Sequence, residues 1–158
     1  MDQLPDFWRT EVFHPLSVHL PIALLLVATF FKIVSLWKSG ETWNKGGSIL
    51  LFIGVVGAWI SVYTGNLADG IVSRNLCDPT VLKDHENSSL IMAWLFTIAV
   101  LLEAAYSFLR RGWFNHLVVA LMIAGSGFLV YTGHLGATLV YQQAAGVYVP
   151  SDDCEEFE

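Results

Sequence analysis

The sequence predicts an all-α membrane protein: a polytopic four-helix bundle built from two tandem helical hairpins, with both termini outside. Two observations carry that prediction. Of 158 residues, 54% are hydrophobic and only 14% charged, where a soluble domain of this length carries about 25% charged residues. The apolar residues also fall into four blocks, each long enough to cross a hydrocarbon layer of about 30 Å, which takes about 20 helical residues.

The blocks run over 15–37, 47–66, 88–109 and 114–141. Backbone amides in lipid must be satisfied within their own segment, so each block should be a helix. Residues 142–158 form an acidic tail, and 1–158 reads as a single domain. Asp2, Asp6 and Glu11 against Arg9 do not make the basic start of a cleavable signal, and none is expected. A net charge of −6 argues against nucleic-acid binding.

Four spans put both termini on one side. Lys32, Lys38, Lys45, Arg110 and Arg111 lie in or beside loops 1 and 3, while Arg9, Arg74 and Lys83 lie with the termini and loop 2. Positive charge concentrates on the cytoplasmic side, so the termini are expected in the periplasm of a bacterial inner membrane. Cys77 and Cys154 then share an oxidising compartment, which permits a disulfide without establishing one.

The chain repeats itself. SVYTGNLADG at 61–70 matches LVYTGHLGAT at 129–138 with an offset of 68, and FHPLSV at 13–18 matches DHENSS at 84–89 with an offset of 71. A shorter loop 3 would absorb the difference. In that register Asn66 corresponds to His134, and His19 to Leu90.

Four of five histidines gather toward the terminal side. His14 and His85 stand at the outer starts of helices 1 and 3. His19 is about 6 Å inside the start of helix 1, and His134 about 10 Å below the outer end of helix 4. His116 belongs to the opposite interface. Ionisable residues inside spans mark sites more often than not. Gly125, Gly127, Gly133, Gly136 and Ala137 thin helix 4, as Gly54, Gly57, Ser61 and Gly65 thin helix 2. Small residues bring helices close, and they also let a flat macrocycle approach backbone. Trp59, Trp94, Tyr63 and Tyr131 could line such a pocket. No Cys-x-x-Cys-His stands in the chain, so any haem would be non-covalent. Glu103, near the inner end of helix 3, should pair with Lys32 or with Arg110 and Arg111.

HPLSVHLPIALL (14–25) and GHLGATLVYQQAAGVYV (133–149) resemble the two ends of an uncharacterised family of bacterial four-helix membrane proteins, known as a domain of unknown function. The matched positions include His14, Pro15, Val18, His19, Pro21, Ile22, His85, Gly133, His134, Gly136, Tyr141 and Gly146. A histidine often found beside the final glycine is replaced by Ala144 and Ala145. Some members of that family stand beside c-type cytochrome domains, so the resemblance implies a redox context and no defined activity.

The expectation is therefore a membrane b-type haem protein that transfers electrons near the periplasmic face. It would serve as a subunit of a larger electron-transfer complex or a partner of a c-type cytochrome. His19 and His134 are the first choice as haem iron ligands, and His14 and His85 form a second, shallower pair, for one haem or two. The alternatives are a membrane copper or zinc site on the same histidines, or a structural subunit without cofactor. No nucleophile–base pair or phosphate loop points to an independent enzyme.

Overall fold

The computed structural model describes residues 8–38, 40–109 and 113–147, with backbone alone for 106–109. After a short 3-10 turn (Thr10–Val12) come α1 (Phe13–Ser35), α2 (Glu41–Val72), a second 3-10 turn (Ser73–Asn75), α3 (Pro79–Leu109) and α4 (Trp113–Gln143). No strand occurs among the described residues. All four helices are long and apolar enough to cross a membrane. They outrun the apolar blocks. At 1.5 Å per residue the 32 residues of α2 span about 48 Å, so helical turns continue beyond the hydrocarbon, where water tolerates polar side chains. This is why α2 starts at Glu41 rather than 47 and α3 at Pro79 rather than 88.

The ends follow local chemistry. Pro79 suits a first helical turn, and the Asp78 carboxylate accepts the Thr80 N–H at 2.9 Å, which caps α3. At the end of α4, Ala144 and Gly146 adopt positive φ of 52° and 68°, and the Ala145 N–H reaches the Leu139 carbonyl at 3.0 Å.

α1 packs chiefly on α2 and α3 chiefly on α4; the hairpins meet more sparsely along α2–α3 and α1–α4. The core is shared by all four helices. Its members recur 71 residues apart: Leu25 with Phe96, Ala28 with Ala99, Leu51 with Met122, Ala58 with Leu129. Close contacts follow the same spacing. A Cβ on Gly54 would stand 2.7 Å from Leu25, and one on Gly125 would stand 2.9 Å from Phe96. One pseudo-twofold axis along the bundle therefore relates the hairpins with a constant offset of 71.

This corrects the sequence register. The Tyr-Thr-Gly-x-Leu match at offset 68 is three residues out of step, so Asn66 aligns with Ala137 and not His134. Three residues are nearly one helical turn, which leaves both copies on similar faces and makes the false register look plausible. The pairing of His19 with Leu90 already has the offset of 71.

Candidate functional site

His14 and His85 are equivalent residues, and they meet at the axis. Their rings stand 6.0 Å apart between centroids with planes at 89°. Each is half-buried and held in the same way. His14 Nδ1 lies 2.9 Å from the Ser61 carbonyl, and His85 Nδ1 lies 3.0 Å from the Thr132 carbonyl. A carbonyl only accepts, so Nδ1 carries the proton in both rings. In neutral imidazole that leaves a lone pair on each Nε2. A backbone contact of this kind commonly fixes the tautomer of a metal-binding histidine.

The local sequence explains how a helical carbonyl can take this second bond. Ser61 and Thr132 stand four residues before Gly65 and Gly136. In a helix the Cα–Cβ bond tilts toward the N-terminus, so a side chain at those glycines would cover the carbonyl. The rings occupy that space instead: a Cβ on Gly65 would lie 3.1 Å from His14, and one on Gly136 would lie 3.2 Å from His85.

Hydroxyls stitch the turns below. Ser17 donates to the His14 carbonyl at 2.9 Å and meets Thr64 at 2.9 Å. Ser88 donates to the His85 carbonyl at 3.1 Å and accepts from Thr132 at 2.9 Å. Sequence reasoning missed Ser17, Thr64, Ser88 and Thr132, and gave Ser61, Gly65 and Gly136 only a spacing role. The constant offset of 71 was the signal that could have exposed them.

The other candidates stand elsewhere. His19 and His134 are exposed, on faces of α1 and α4 that point away from the core. His116 is exposed near the opposite end of α4. The mid-bundle glycines are filled by the chain itself: Gly54 meets Leu25, Gly57 meets Pro21, and Gly125 meets Phe96. Gly127 and Gly133 face open space. Trp59 and Trp94 pack edge-on at 5.3 Å, while Tyr63 and Tyr131 are exposed. Cys77 is exposed, and Cys154 lies outside the described residues, as do Arg110 and Arg111.

A second polar layer crosses the axis 18 residues further along α1 and α3, about 27 Å from the first. Lys32, fully buried, donates from Nζ to Asn44 Oδ1 at 2.7 Å and Ser48 Oγ at 2.9 Å. It also pairs with Glu103 Oε1, which accepts the Ser48 hydroxyl at 2.7 Å. Of the partners expected for Glu103, Lys32 is found, while Arg110 and Arg111 lie outside the described residues. The spacing of the two layers is close to the hydrocarbon thickness of about 30 Å.

The donor set at the histidine end can be tested against a metal or a haem. Among the described residues no three His, Cys, Asp or Glu side chains converge to hold an ion. A structural zinc site wants four protein ligands. A haem brings its own equatorial nitrogens and takes two axial ligands. With metal–imidazole bonds of about 2 Å, imidazoles bound on opposite sides of one metal place their centroids about 6 Å apart. The 6.0 Å between the His14 and His85 centroids agrees with that separation.

Comparison with known proteins gives the family. The sequence profile of a family described as "Predicted membrane protein (DUF2231)" matches residues 11–148, and the chain belongs to that family. No curated protein and no solved structure matches it.

Proposed function

We propose that this membrane protein is a b-type haem subunit in which His14 and His85 would hold the haem iron. The carrying observation is the pair itself: two equivalent imidazoles 6.0 Å apart, each donating Nδ1–H to a helical carbonyl and each with no hydrogen-bond partner for Nε2 among the described residues. This choice promotes the shallower pair over His19 and His134. A haem held there would supply one-electron uptake and release. The chain's residues hold both imidazoles as neutral ligands at a fixed separation, and Gly65 and Gly136 keep the carbonyls that orient them accessible.

His19 and His134 face outward at the same end, so a second haem on either would need its other ligand from a partner. Positive charge in loops 1 and 3 supports a periplasmic place for this end in a bacterial inner membrane, and thus exchange with a c-type cytochrome or a larger electron-transfer complex.

The test is an absorption spectrum of the purified protein, oxidised and then dithionite-reduced, with a pyridine haemochrome assay. We expect a Soret band and one haem per chain, lost in His14→Ala and in His85→Ala. A wild-type protein without a Soret band, expressed with ample haem, rules the reading out. A second reading has one observation in its favour: the mid-bundle glycines are filled by side chains, and a bare ion needs less room than a macrocycle. Stoichiometric copper or zinc with no Soret band, lost in the same two variants, would select it.

A further inference from the structure

The layer at the other end of the axis differs from the histidine layer in one respect. Lys32 and Glu103 are equivalent residues, 71 positions apart, yet they carry opposite charges. Their neighbours Asn44 and Asn115 are also equivalent, and they are identical. Both asparagines lie near Glu103 around a cavity of about 20 Å³, enough for one water among polar partners. Amide and hydroxyl groups can donate or accept, so Asn44, Ser48 and Asn115 suit either sign of charge. The sign is carried by Lys32 and Glu103 alone.

We propose that Lys32 and Glu103 are a pairing code: they direct the first hairpin onto the second and turn away the like hairpin of a second copy of this chain. Most of the core pairs apolar with apolar at equivalent positions, Ala28 with Ala99 and Leu51 with Met122 among them. Away from this layer two neutral hydrogen bonds distinguish the hairpins, Thr29 with Ser126 and Trp59 with Thr97, and losing one costs less than burying an unpaired charge. The axial histidines are the same residue in both halves. Two first hairpins packed together would bury Lys32 against Lys32, and two second hairpins Glu103 against Glu103. An unpaired charge at such a site is strongly disfavoured, and specificity by repulsion of the wrong partner is a common use of buried charge. The hairpins are joined only through Ser73–Asp78, a short connection of the kind from which exchange between copies begins. The proposal is independent of any cofactor, because its readout is assembly.

The experiment uses the full chain in detergent. K32E and E103K should each lower the melting temperature by about 10 °C, the scale expected for an uncompensated buried charge in a chain of this size. The double variant K32E/E103K should recover at least half of that loss, because the surrounding amides accept the reversed pair. Co-expressed under two different tags, the K32E and E103K chains should co-purify as a one-to-one exchanged dimer. Each would complement the other's hairpins, and neither should dimerise alone. Failure of the double variant to recover overturns the code and leaves a site that simply requires lysine on α1. Single variants with wild-type melting overturn it as well. So does the absence of a mixed dimer when both chains are present and folded.

Discussion

The two ends of the bundle solve the same geometric problem in opposite ways. Any residue on a pseudo-twofold axis faces its own equivalent. At one end the chain places histidine against histidine, 6.0 Å apart. At the other it places lysine against glutamate. Like residues are a poor choice for holding hairpins together and a good choice for embracing something symmetric between them. Opposite charges satisfy each other and leave nothing for a ligand: Lys32 Nζ has three acceptors for its three protons. On the two proposals made above, the contrast would separate binding from assembly within one fold.

That separation can be broken from the assembly end first, where the effect is largest. Glu103→Ala leaves Lys32 buried with only Asn44 and Ser48, and should cost about 3–5 kcal/mol of stability, read by thermal melting in detergent. Lys32→Met with Glu103→Met removes both charges and should restore most of it, since a well-packed apolar pair commonly replaces a buried ion pair without loss. His14→Ala should show the opposite profile. It removes one side-chain hydrogen bond, worth about 0.5–1.5 kcal/mol, yet abolishes cofactor uptake. A Glu103 variant that folds well but loses cofactor, or a His14 variant that keeps it, would erase the distinction between the ends.

The helices were legible because lipid imposes one rule on every segment, and the four apolar blocks obey it. Lys32 was legible as a partner of Glu103 because few groups at that depth can answer a carboxylate. The axial pair was harder. His14 and His85 were read as shallow, since the apolar blocks begin after them. α3 does start six residues before His85, but those turns precede the apolar block; what depth could not show is that the two rings meet. His19 and His134 were read as deep and therefore central. Depth along a helix says nothing about facing, and both are exposed. The error in register had the same root: a glycine-rich helix looks alike after one turn, and only contacts choose between offsets of 68 and 71.

A smaller effect tests whether the histidine end is symmetric in energy as well as shape. Gly65→Ala and Gly136→Ala each place a methyl against an imidazole, at 3.1 and 3.2 Å. The two should behave alike, each costing about 1–2 kcal/mol through overpacking and each disturbing the spectrum of a bound cofactor. Gly127→Ala, with open space around it, is the control and should be silent. Unequal effects from Gly65 and Gly136 would mean that one imidazole carries the site.

The smallest effect lies just outside the membrane, where the hairpins begin differently. α1 opens without a side-chain cap. α3 opens on Asp78, whose carboxylate accepts the Thr80 N–H and lies close to its hydroxyl. Those bonds to Thr80 hold the Asp78 carboxyl below its ordinary value. A depressed folded-state value means that the carboxylate stabilises the fold above the unfolded value of about 3.9, and that this contribution fades as pH falls through the lower folded value. Asp78→Ala should therefore lower the melting temperature slightly at neutral pH, and the gap to wild type should close in strong acid. A gap that persists unchanged at pH 2 would show that Asp78 acts through packing and not charge. The second hairpin would then owe its firmer start to Pro79 alone.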